Sequence, residues 1–80
     1  MTQLALTREE RYLISLNEYL QEKNVSSCSI HAIAERTGLS ERQLKTTVQT
    51  LSHINFIKKI NKTEISITEN GLKLLERLKE

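Results

Sequence analysis

The stretch Ser40 to Ile54, SERQLKTTVQTLSHI, can satisfy burial in one way, as a helix with two unlike faces. Leu44, Val48 and Leu51 recur at spacings of four and three and form a single apolar stripe. At about 100° per residue the opposite side carries Arg42, Thr46, Gln49 and His53, flanked by Gln43, Lys45 and Thr50. Ser40 is placed to cap the helix, and the only acidic residue of the segment, Glu41, falls in the first turn, where the helix dipole favours negative charge. One side therefore needs a core, and the other is cationic and rich in hydrogen-bonding groups.

The flanking residues offer that core. Residues 29–37 read as a shorter helix with Ile30, Ile33 and Ala34 inward, and Gly38 can take the left-handed position that ends a helix. Ala34 is small enough for two helix axes to approach closely, so helix 29–37, the link Gly38-Leu39 and helix 40–54 have helix-turn-helix spacing. Residues 56–68 read as two short strands about the polar turn Ile60-Asn61-Lys62-Thr63-Glu64. An earlier helix, 7–23, opens on a capping box of Thr7 and Glu10, buries Tyr12, Leu13, Leu16, Tyr19 and Leu20, and ends at Asn24. A last helix, 69–79, carries Leu72, Leu74, Leu75 and Leu78 on an arc of about 160°, wider than one small domain needs.

This arrangement resembles the winged helix-turn-helix domain of small bacterial, archaeal and phage regulators, such as the multiple-antibiotic-resistance repressor family. The resemblance runs from Ile30 to Leu78. It rests on Ile30 through Gly38-Leu39-Ser40, on the helix ending Leu51-Ser52-His53-Ile54-Asn55-Phe56-Ile57, and on Ile67-Thr68-Glu69-Asn70-Gly71 as the entry to the last helix. Asn55 stands where the family prefers glycine, and asparagine enters the left-handed region more readily than other side chains. The wing is short and lacks that family's Asp-Arg-Arg run. The resemblance implies an α+β fold, a three-helix core with a β-hairpin wing and a C-terminal helix. It also implies a third short strand at Val25 to Ser27, paired with the wing.

Eighty residues fit one domain, 1–80, and with one phenylalanine, two tyrosines and no tryptophan its core must be largely aliphatic. No apolar run approaches the about 18 residues of a membrane span, and Met1 to Leu6 lacks the basic flank of a signal peptide, so a cytoplasmic protein without membrane contact is expected. The single Cys28 reads as a small structural residue. His31 and His53 lack ligand partners at metal spacing, and there is neither a nucleophilic triad nor a phosphate-cradling glycine loop. Neither a metal, a cofactor, a small-molecule ligand nor enzyme chemistry is expected.

Charge is distributed unevenly. The total is +2, but residues 40–63 hold Arg42, Lys45, Lys58, Lys59 and Lys62 against Glu41 alone, while the segment on either side sums to −1. A local basic surface is what phosphate attraction requires. The expected partner is double-stranded DNA. Arg42 matches guanine O6 and N7, Gln43 and Gln49 match adenine N6 and N7, Thr46 offers a methyl and a hydroxyl, and Ser40 offers a helix N-terminus. By resemblance, the base-reading positions are Arg42, Gln43, Lys45 and Thr46. Lys58, Lys59 and Lys62 would lie on the wing, though strand alternation forbids all three from sharing a direction. A sequence-specific transcriptional regulator is the leading expectation. The alternatives are a winged-helix protein-interaction module and a phage or plasmid replication accessory protein. A homodimer is expected through Leu4, Leu6, Leu74 and Leu78, with Leu74 the residue least needed inside the monomer.

Overall fold

The computed structural model describes residues 7–79, apart from the Lys79 side chain. Leu4 and Leu6 lie outside the described residues. The elements follow in the order α1 (Arg8–Lys23), β1 (Cys28–Ser29), α2 (Ile30–Thr37), α3 (Glu41–His53), β2 (Ile57–Lys59), β3 (Glu64–Ile67) and α4 (Glu69–Lys79). The fold is α+β, four helices and a three-stranded antiparallel sheet in the order β1-β3-β2, consistent with a winged helix.

Local chemistry explains where each helix starts and stops. Thr7 and Glu10 exchange backbone and side-chain hydrogen bonds at the start of α1. Ser29 caps α2 by accepting the His31 N–H at 3.2 Å. The ends are left-handed: Asn24 at φ 56°, Gly38 at φ 71° and Asn55 at φ 65°. After α3 the Asn55 and Phe56 amides return to the Ser52 and Leu51 carbonyls at 3.1 and 2.9 Å, a Schellman ending that asparagine supports in place of glycine.

Tyr12, Leu13 and Leu16 of α1, Ile33 of α2, Leu44 and Leu51 of α3, and Ile57 and Ile65 of the hairpin are fully buried together. The Tyr12 hydroxyl donates to the Ile30 carbonyl at 3.1 Å, tying α1 to the start of α2. Tyr19 is half-buried, with the Arg36 guanidinium 4.9 Å from its ring centre; Arg36 also makes paired bonds to Glu22 at 2.8 and 3.2 Å. Thr47, three residues after Leu44 and four before Leu51, is completely buried as well, and its hydroxyl has no hydrogen-bond partner.

Two expectations are corrected. The third strand is Cys28–Ser29 rather than Val25 to Ser27, because Ile65 and Glu64 of β3 pair with those residues and Val25 is exposed. Leu74 is not the outlying leucine of α4. It packs half-buried against the core with Leu78, Leu75 is 4% exposed, and Leu72 is the one left 42% exposed. The cause is Gly71: α4 lies so close to the hairpin base there that the buried arc runs through positions 71, 74, 75 and 78 and turns Leu72 outward. Much of the apolar surface that suggested a dimer is therefore used within the monomer. Among the described residues, no helix is long and apolar enough to cross a membrane.

Candidate nucleic-acid interface

The residues of α3 that miss the core form a polar ridge. Arg42, Lys45, Thr46, Gln49 and His53 are all exposed, while Leu44, Val48 and Leu51 hold the helix down at 1–3% exposure. The Thr46 hydroxyl donates to the Arg42 carbonyl at 3.1 Å, which leaves its methyl and hydroxyl lone pairs outward.

The wing meets one side of this ridge. Lys59 pairs with Ile65 across the hairpin, and paired residues share a face; since Ile65 and Ile57 are buried, Lys59 leaves β2 on the α3 side. Lys58 pairs with Ser66 and projects from the opposite face. The turn beyond Lys59 is built on Asn61, whose Oδ1 accepts the Thr63 N–H at 2.9 Å, the Glu64 N–H at 3.0 Å and the Thr63 hydroxyl at 3.2 Å. This locked turn carries Lys62. The result is a cleft of about 390 Å³ in which Lys45 and Gln49 of α3 face Lys59, Asn61 and Lys62 of the wing, over a floor formed by Ile30, Val48 and Ile65. Four of the nine residues proposed from sequence thus meet in one place, and Lys58 does not join them.

Ser40 and Gln43 have another role. The Ser40 hydroxyl accepts the Gln43 N–H at 3.3 Å, and Gln43 Oε1 accepts the Ser40 N–H at 3.1 Å, a capping box. A bidentate adenine contact needs both ends of a carboxamide. Gln43 would have to release the helix start to make one, whereas Gln49 has no such commitment. The Ser-x-x-Gln spacing was itself the sign of this role. His31 Nε2 lies 3.5 Å from Glu41 Oε1, an ion pair whenever the imidazole is protonated, and so draws the one acidic side chain of α3 toward α2.

Cys28 is a buried free thiol on β1, its pKa pushed up by burial and then by the Glu64 carboxylate, which makes it a poor nucleophile. Arg8 and Arg11 are what the sequence reading missed. They lie beside Gln43 on the side of α3 away from the wing, and averaging charge over the N-terminal segment had hidden them.

The family model for RepL, the Firmicute plasmid replication protein, matches residues 5–72, which takes in α1, the helix-turn-helix, the wing and the start of α4. None of the curated proteins compared matches the chain.

Proposed function

The chain belongs to the RepL family of Firmicute plasmid replication proteins, and from that premise we propose that it is a double-stranded DNA-binding protein of plasmid replication. In this reading α3 enters the major groove and the β2–β3 wing grips the adjoining backbone. The observation that carries it is the cleft where Lys45 and Gln49 meet Lys59 and Lys62: three cations and an uncommitted carboxamide, with no acidic residue in the lining. Arg42, Gln49 and Thr46 stand outermost on the ridge and are assigned to base edges, Lys45, Lys59 and Lys62 to phosphates. The same surface would equally suit a transcriptional regulator, and family membership favours replication. We include pairing of two copies in the proposal, because one domain of this size spans few base pairs; a DNA complex that sediments with one copy per duplex would refute that part.

The test is a binding titration against random-sequence duplexes and duplexes selected from a random library, repeated across salt concentrations. Replacing Lys59 or Lys62 by alanine should reduce the slope of log K against log salt by about 0.9 for each lysine that meets a phosphate, on both kinds of duplex. A wild-type protein that binds neither duplex at low salt would end the DNA-binding reading. Unchanged slopes for both variants would remove the wing from it.

A further inference from the structure

The ridge of α3 has cations on both sides, and only one side belongs to the wing. Going round the helix at about 100° per residue, the exposed side chains run from Lys45 through Gln49, Arg42, His53 and Thr46 to Thr50 and Gln43. The Lys45 edge borders the wing cleft. The Gln43 edge borders a second cleft, about 190 Å³, formed where the start of α1 meets the end of α2 and lined by Arg8, Arg11, Thr37, Leu39 and Gln43. Arg8 and Arg11 are three residues apart and share a face of α1, both exposed. The neighbouring Glu10 accepts the Thr7 N–H at 2.9 Å and is held at the helix start. Arg36, beyond Arg11 along the same surface, is neutralised by Glu22 at 2.8 Å.

A helix lying in the major groove of B-DNA has a sugar–phosphate strand on each side, the groove being about 12 Å wide. Resting on the DNA-binding reading, we propose that Arg8 and Arg11 form a second phosphate-binding site, which holds the backbone strand opposite the one gripped by the wing. The chain then clasps both walls of the groove, with Lys45, Lys59 and Lys62 on one and Arg8 and Arg11 on the other. Guanidinium groups suit this task, since each can bond two phosphate oxygens at once. Gln43 borders the second site and keeps its capping role.

The alternative for Arg8 and Arg11 is support of the negative end of α2, which terminates at Thr37 beside them. Binding of a random-sequence duplex across a salt series separates the two. The double variant R8A/R11A is expected to melt within a few degrees of wild type, to lower the slope of log K against log salt by about 1.8, and to bind up to about 60-fold more weakly at 0.1 M salt. R8K/R11K keeps the charges and should keep most of the slope. Phosphate-ethylation interference should show contacts on both strands with wild type, and loss of one strand's contacts with R8A/R11A. A folded R8A/R11A with the wild-type slope overturns the second site, as does an R8K/R11K protein whose slope falls equally far. Should the alanine pair unfold, R8Q/R11Q retains the packing stems and is judged by the same slope. Failure here is distinct from failure of DNA binding: in the first case K59A still lowers the slope, and in the second wild type does not bind.

Discussion

Gly71→Ala sets two effects of known size against each other. In an exposed helix the change would stabilise by about 0.8–1 kcal/mol, because glycine has the greater backbone freedom to lose. Here a Cβ at position 71 would overlap the Phe56 carbonyl oxygen and lie 2.8 Å from Ile67 Cγ1. The carbonyl cannot easily yield, since it accepts the Thr68 N–H at 3.1 Å, and the Thr68 hydroxyl in turn donates to the Asn55 carbonyl at 2.6 Å and accepts the Gly71 N–H at 3.1 Å. Relief requires α4 to slide outward, which draws Leu75 from a site where it is 4% exposed. Overpacking of this kind costs about 1–3 kcal/mol, with the upper half expected when the obstacle is main chain. After subtracting the propensity gain, the net loss is about 1–2 kcal/mol, or a Tm lower by about 4–15 °C for a domain of this size. Urea denaturation followed by far-UV circular dichroism measures it, with an unchanged m-value expected. Gly38→Ala is the control: nothing lies within 4 Å of its Cβ position, so its cost comes from the positive φ alone. A Gly71→Ala protein as stable as wild type, or more so, would show that close approach is not why glycine occupies this position.

Thr47→Val keeps the shape of a completely buried side chain and removes a hydroxyl that has no partner, so stability should rise by about 1–2 kcal/mol; a loss in the same urea assay would mean that the hydroxyl is bonded. Burial raises the pKa of both Tyr12 and Cys28, so the neutral forms stabilise the fold fully below the ordinary thiol range. Unfolding free energy should then fall as pH rises past about 8.5 and fall further above about 10, as the unfolded chain ionises first, and C28A should remove the earlier decline; a flat profile would contradict the burial of both. Arg42→Ala should weaken binding to a selected duplex by about 1–3 kcal/mol and affect a random duplex less, whereas equal losses would make Arg42 a phosphate contact.

What could be read from the sequence was what repeats or caps locally. Leu44, Val48 and Leu51 gave the phase of α3, Thr7 and Glu10 its partner helix, and Gly38 and Asn55 the places where the chain turns. Thr47 falls on the same phase, and only its polar side chain sets it apart from the apolar stripe. Three other features depended on distance in space. β1 is two residues long, too short for any periodicity, and its place is set by residues some thirty-five positions later. Leu72 and Leu74 are equivalent on a helical arc until Gly71 decides which way α4 rolls. Arg8 and Arg11 belong to an acidic-leaning segment of sequence, and only folding brings them beside Gln43.

Strand β1 joins the hairpin and α2 into one body. Cys28 and Ser29 pair with Ile65 and Glu64, and the very next amide, that of Ile30, donates to the Thr63 carbonyl at 2.9 Å, so the first residue of α2 is bonded to the hairpin turn. A wing tethered only by its own two strands would lose conformational freedom on meeting a large partner, and that loss would weaken the complex. Here the ordering is complete when the chain has folded. Association then needs little rearrangement, its rate governed by electrostatic steering and orientation rather than by a search among loop conformations. Weakening β1 should accordingly free the wing and lower affinity for a duplex, although every side chain of the clasp is still present in the chain.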